Sequence, residues 1–173
     1  MGSEPELVRR EQEFDELVTL EYGRVYRASF AFLQDREAAL DVTQEAFARA
    51  FARWHRLAGT SWAGAWVMTT ALNLCKRHVR KEKLVNAVQV LPERAVREEA
   101  VDARRADVMD AVQRLPVRQR QVVLLHYFGD LSVEAIAQLL GLSAGGVKAN
   151  LFKARRTLSR NLNLERGIDE LSR

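Results

Sequence analysis

The sequence is poor in the features that mark secreted, membrane-bound or catalytic proteins. A single cysteine, Cys75, stands among 173 residues, so no internal disulfide framework forms and a reducing cytoplasm is the natural compartment. No window approaches the run of about 20 apolar residues that a bilayer span needs, so no membrane insertion is expected. The opening stretch MGSEPELVRREQEFDE is polar and acidic without an apolar signal core, which predicts an unexported, cytoplasmic protein. His55, His78 and His126 are scattered, and no HExxH pair, phosphate-binding glycine loop or nucleophile motif occurs. Cys75 and His78 stand three apart, as half a metal site would, but no second pair completes it, and a buried thiol is expected instead. The reading is a protein without catalytic residues, metal or cofactor. Strand-like alternation is scarce as well, which leaves a helical chain.

The composition is that of a globular protein, 47% hydrophobic and 29% charged, long enough for one domain or two small ones. A net charge of +4 favours a polyanionic partner chiefly because the surplus is concentrated locally. The clearest concentration lies in residues 131–156, LSVEAIAQLLGLSAGGVKANLFKARR. Ser132 can cap a short helix with Glu134 in its first turn and Ile136, Ala137, Leu139 and Leu140 facing inward. Gly141 can end that helix in the left-handed conformation, and Ser143 can cap the next, which makes the short turn of a helix-turn-helix. In the second helix Val147, Leu151, Ala154, Leu158 and Leu162 form one buried stripe at the helical period. Lys148, Lys153, Arg155, Arg156 and Arg160 occupy the remaining face, and no acid occurs across residues 141–163. A charge run alone is weak evidence, but turn, caps and uncompensated charge together describe a DNA-reading device. The small residues Ala144, Gly145, Gly146 and Ala149 would let its first turn approach a groove closely.

The rest of the chain is read as helical too. A first amphipathic helix is predicted over residues 11–33, with Phe14, Leu17, Val18, Val25, Tyr26 and Phe30 inward. Asp35 restarts a second, with Leu40, Phe47, Ala50, Phe51 and Trp54 inward. Residues 55–61 are expected as a loop, followed by a helix over residues 62–81 that ends in a basic cluster. Residues 84–103 show no sustained period and carry Pro92 and several acids, so they are read as a flexible linker. Beyond them, helices over residues 104–115 and 116–127 support the helix-turn-helix, with Pro116 placed in the first turn of the latter. The predicted fold is all-α, two small helical domains over residues 1–83 and 104–173, the C-terminal one a helix-turn-helix.

This order of features resembles the compact extracytoplasmic-function sigma factors of the sigma-70 superfamily. The resemblance rests on ALDVTQEAFARAFARW at residues 39–54, AWVMTTALNLCKRHVRK at 65–81, and the long run LPVRQRQVVLLHYFGDLSVEAIAQLLGLSAGGVKANLFKARRTL at 115–158. It implies a bacterial initiation factor that binds core RNA polymerase and promoter DNA and is held by an anti-sigma factor. Asp41, Gln44, Glu45 and Arg49 would contact the polymerase, with Phe47 packing behind them. Asn73 matches the position of the family's base-contacting Asn, which holds a flipped minus-10 base of the nontemplate strand. An amide suits that task because it donates and accepts at once. Lys76, Arg77, Arg80 and Lys81 would then be phosphate contacts. Trp62 and Trp66 could add aromatic surface, although a core role suits them better. The minus-35 duplex would fall to Lys148, Asn150, Lys153 and Arg156, with Phe152 either against the sugar-phosphate wall or in the core.

Two departures from the family pattern matter. Thr69 and Leu72 stand where the family usually carries basic residues, which implies either a weaker grip on the melted strand or a grip by the later Lys and Arg cluster. Gly146, Lys148, Ala149 and Asn150 replace a pattern richer in hydrogen-bonding groups, which implies more shape readout. The alternatives are a stand-alone helix-turn-helix regulator with an N-terminal ligand or dimerisation module, and a helical adaptor that binds polymerase without DNA.

Overall fold

Several helix boundaries follow from local signals. A computed structural model describes residues 4–86 and 103–171, with side chains over 9–84 and 107–162. Among the described residues every regular element is a helix. Helix α1 (Glu4–Leu33) stops where Gln34 takes a left-handed backbone, φ 52°, and returns its N–H to the Phe30 carbonyl at 2.7 Å. Asp35 then starts α2 (Arg36–Ala52) as an extended cap whose carboxylate accepts the Ala38 N–H at 2.9 Å. One turn, α3 (Trp54–Leu57), follows, and α4 (Ala63–Asn86) completes the first module.

Three boundaries differ from the expected ones. Helix α1 begins at Glu4 rather than near residue 11, and exposed Arg9 forms an i,i+4 pair with Glu13 at 3.0 Å. The expected loop at 55–61 is shortened by α3, because buried Trp54 donates its indole N–H to the Arg10 carbonyl at 2.8 Å and Leu57 is also buried. Helix α4 continues past residue 81 through a run of long straight-chain side chains, residue types with high helix propensity, and His78 lies 3.4 Å from Glu82 one turn on. The first three positions of the expected linker, 84–86, therefore belong to α4, and its residues 87–102 lie outside the described residues.

The second module contains α5 (Ala103–Gln113), α6 (Val117–Tyr127), α7 (Val133–Leu140) and α8 (Ala144–Leu171). Pro116 is the N-cap of α6 rather than a residue of its first turn, and its carbonyl accepts the Arg120 N–H at 2.9 Å. A missing N–H costs nothing at that position either.

In the first module α1, α2 and α4 pack on one another, and in the second α8 packs on α5, α6 and α7. Val25, Phe32, Val67 and Leu72 fill the first interior, while Leu124, Leu125, Ile136 and Val147 fill the second. Burying a side chain of this size contributes roughly 1.5–3 kcal/mol. The two interiors are continuous, because α5 and α6 pack on α1 and α6 also packs on α4. One residue expected to face inward does not: Phe51 is 56% exposed and meets Phe14 edge-on at 5.0 Å. Phe152, left open between the core and the surface, is 67% exposed, which removes it from the core.

Candidate nucleic-acid interface

The helix-turn-helix is built by three caps. Ser132 Oγ accepts the Ala135 N–H at 3.1 Å and starts α7. Gly141 ends it at φ 63°, and the next residue, Leu142, donates its N–H to the Ala137 carbonyl at 2.9 Å. This is the glycine-dependent helix stop, because a side chain at that backbone angle is strained. Ser143 Oγ accepts the Gly146 N–H at 3.0 Å and starts α8 two residues later. Val147, Leu151 and Ala154 then point inward, which turns Lys148, Lys153, Arg155 and Arg156 to solvent.

The four residues expected at the minus-35 duplex are not equivalent. Lys148, Lys153 and Arg156 are exposed on one side of α8, spaced so that a groove would meet them together. Asn150 is half-buried and donates its amide to the Gly146 carbonyl of its own helix at 2.8 Å. That donor is occupied, so bidentate reading of an adenine would require the side chain to turn. Phe152 stands between the cations, one turn from both Lys148 and Arg156, and offers an apolar surface. Arg155 is held back over Tyr127, with its Nε 2.8 Å from the phenol oxygen and its guanidinium 5.8 Å from the ring.

In the first module Asn73, Arg77, Arg80 and Lys81 are exposed on α4 and Lys76 is half-buried. Asn73 and Arg77 share a face one turn apart and line a cleft of about 360 Å³ between α2 and α4. Arg49, Arg53 and Trp66 line the same cleft, and the Arg53 guanidinium lies 5.8 Å from the Trp66 ring. Sequence reasoning missed Arg53. The signal was its position one turn after Arg49, but only the packing of α2 on α4 shows that both face Asn73. Trp66 is half-buried and Trp62 is 47% exposed, so neither is a plain core residue. Thr69 and Leu72 are buried, at 6% and 0% exposure, so neither side chain is presented to a strand on the outside of α4. A basic residue at either position would enter the interior of this chain, and the weaker grip expected there has no support in the geometry.

Asn73 also meets the second module, where its Oδ1 accepts the Gln121 amide at 2.8 Å. Lys76 has its pKa lowered by burial first, and then by the positive charges of Arg118 and Arg80. On α2, Asp41, Gln44 and Glu45 are exposed, while Arg49 stands at the edge of that face, paired with Glu45 at 2.7 Å. Buried Phe47 supports it from behind, stacked on Tyr22 with ring centroids 5.6 Å apart. Cys75 is buried, and desolvation pushes its thiol up to about 12, which leaves it an inert apolar group at neutral pH.

Residues 17–85 match the family described as Sigma-70 region 2, and residues 105–158 match Sigma-70, region 4. The RNA polymerase sigma-E factor of Streptomyces antibioticus is 33% identical over 152 residues, which span 87% of this chain and 84% of the relative. The ECF RNA polymerase sigma factor BldN of Streptomyces coelicolor is 31% identical over 175 residues, 91% of this chain and 65% of BldN. The chain belongs to the extracytoplasmic-function group of sigma-70 RNA polymerase sigma factors. In this sigma factor the region 2 match contains the α2 face and the α4 face, and the region 4 match contains the helix-turn-helix. The fold is shared with sigma factor RpoE of Bartonella quintana, solved with the anti-sigma factor NepR. The TM-score is 0.74 at 22% identity, over 88% of this sigma factor and 98% of that chain.

Proposed function

We propose that this sigma factor directs initiation by holding a promoter at two points. Residues 1–83 form the first module, which docks on core polymerase through Asp41, Gln44, Glu45 and Arg49. Exposed acceptors and donors on one helix face, with Phe47 packed behind, suit a rigid contact with charged side chains of a partner helix. The same module takes a flipped base of the nontemplate minus-10 strand at Asn73, while Lys76, Arg77, Arg80 and Lys81 hold phosphates. Extracting a base costs a few kcal/mol, which amide contacts and the cleft around Trp66 would have to return.

Residues 104–173 form the second module, which lays α8 against the minus-35 duplex. Lys148, Lys153 and Arg156 neutralise phosphates and fix register, and residues 87–102 connect the helices that carry the two contacts. The observation that carries this reading is the exposed basic side of α8, with no acid across residues 141–163, on a helix-turn-helix whose three caps are all formed. The chain itself performs no bond-making step; it positions DNA for the polymerase, in the cytoplasm where polymerase works. An anti-sigma factor is the expected partner that holds the chain, of the kind with which the Bartonella quintana protein was solved in complex.

Run-off transcription with core enzyme and a randomised promoter library tests the proposal. Enrichment of paired minus-35 and minus-10 elements, dependent on core, is the expected result. A footprint on duplex DNA by the chain alone, with no core-dependent initiation, would instead favour a stand-alone regulator.

A further inference from the structure

Among the described residues three guanidiniums lie over aromatic rings, and they are not equally committed. Arg120 lies 4.9 Å over the Phe32 ring, donates through Nη1 to the Phe32 carbonyl at 2.7 Å and through Nη2 to the Leu115 carbonyl at 3.2 Å. Arg155 meets the Tyr127 ring at 5.8 Å and gives its Nε to the phenol oxygen. Arg53 lies 5.8 Å over the Trp66 ring, and among the described residues neither a hydrogen bond nor a carboxylate draws on its N–H donors. A ring attracts a cation through its π face, while the donors of a guanidinium point outward in its own plane. The contact with Trp66 therefore leaves the fork of Arg53 unengaged.

The backbone beneath Arg53 is fixed as well. Arg53 closes α2 and opens α3: its N–H returns to the Ala50 carbonyl at 3.0 Å, and its own carbonyl accepts the Arg56 N–H at 2.8 Å. Buried Trp54 and Leu57 anchor the turn that follows. The side chain thus starts from a fixed junction and ends over a half-buried ring, yet remains exposed. It lines the cleft of about 360 Å³ that Asn73 and Arg77 also line. Arg49 in the same cleft is already paired with Glu45 at 2.7 Å, and exposed Arg77 has no ring beneath it among the described residues. Arg53 is the guanidinium of this cleft that is both held in place and free to donate.

A guanidinium fork asks for two acceptors side by side. Guanine presents N7 beside O6, and an unpaired cytosine presents N3 beside O2. In adenine the N1 and N7 acceptors each stand beside the amino group, and in thymine an N–H separates the two carbonyl oxygens. A flipped base exposes its Watson–Crick edge together with the edge seen in the groove, so either acceptor pair can be reached. We propose that Arg53 is the specificity-determining residue of the minus-10 cleft, its fork held by Trp66 to take the paired acceptors of a captured guanine or cytosine. The proposal rests on the reading of Asn73 as the base-holding residue. Asn73 contacts the same base from α4, and Arg53 decides which base satisfies both.

The test is run-off transcription by the full chain with core polymerase on a library randomised across the minus-10 element. The position held in the cleft is the one whose base preference Asn73→Ala lowers most. There the wild type is expected to favour guanine or cytosine over adenine and thymine by about tenfold, the discrimination that one bidentate pair supplies, and the library reads which of the two is taken. Arg53→Lys keeps the positive charge without the fork and is expected to remove most of that preference, as is Arg53→Ala, with minus-35 preferences unchanged. Both variants alter an exposed side chain, and a thermal melt of each checks that the first module stays folded. Adenine or thymine favoured by the wild type at that position would overturn the proposal. So would an unaltered preference in Arg53→Lys, or an equal loss on all four bases in a folded variant, as a phosphate contact would give. If Asn73→Ala changed no minus-10 preference, the base-holding reading itself would fail. A preference lowered by Asn73→Ala and kept by Arg53→Lys would sink the Arg53 assignment alone.

Discussion

Helices α4 and α8 both carry a basic face, yet they stand in different surroundings. On α8 the cations Lys148, Lys153 and Arg156 face solvent, with no acid in the surrounding sequence. On α4 the Asn73 amide is engaged by Gln121, and Lys76 has its pKa lowered by burial and by the positive charge of Arg118, both partners from the other module. Charge at the surface suffices to hold a duplex, because phosphate contacts ask little of geometry. Capturing a base asks for an oriented amide and a cleft, and those come from packing between helices. The basic face of α8 therefore stands free of the other module, whereas the α4 face has its amide oxygen engaged by it.

The comparison can be broken most severely at the interior of α4. Leu72→Arg places a cation in a fully buried site without a partner and is expected to cost several kcal/mol, enough to unfold the first module in a thermal melt. Ala149→Arg, on the exposed side of α8, is expected to leave the melting temperature almost unchanged. If Leu72→Arg melted like the wild type, position 72 would belong to the outer face after all.

Asn73→Ala should lower open-complex formation by a factor corresponding to about 1–3 kcal/mol, while binding to core, followed by size exclusion, stays intact. Equal transcription by the variant would remove Asn73 from the base-holding role. On α8, Lys148→Ala with Arg156→Ala should reduce the dependence of log affinity on log salt by about two, roughly 0.9 for each phosphate that is no longer neutralised. An unchanged slope would show that these cations do not touch phosphate.

The smallest effect concerns the first turn of α8. Gly145 has open space around a would-be Cβ, so Gly145→Ala should stabilise the second module by up to about 1 kcal/mol in denaturant unfolding. Gly146→Ala should gain less, since the added carbon would lie 3.2 Å from the Ser143 Oγ that caps the helix. Equal gains at both positions would argue against the Ser143 cap.

Much of this architecture could be read locally. Ser132, Gly141 and Ser143 are short-range signals whose hydrogen bonds span at most a few residues, and the Val147, Leu151, Ala154 stripe is a periodicity within one helix. What escaped was set by contacts distant in the chain. Asn73 and Gln121 are 48 positions apart, and Arg120 and Phe32 are 88 apart. No local pattern marks such pairs, and an Arg after Pro116 reads as a surface cation until its carbonyl partners are seen. The exposure of Phe51 was hidden for a related reason: periodicity identifies a stripe, while the neighbouring helices decide how wide a stripe is covered. The placement of Arg53 beside Asn73 likewise depends on how α2 lies on α4.

The division of labour between the modules is tested most directly by permanganate footprinting of unpaired thymines on a selected promoter with core polymerase. Asn73→Ala should leave promoter occupancy near normal and lower thymine reactivity in step with the loss of open complex. Lys148→Ala with Arg156→Ala should lower occupancy, with reactivity restored once saturating holoenzyme fills the promoter. Lost occupancy in the Asn73 variant together with full occupancy in the α8 variant would contradict the account.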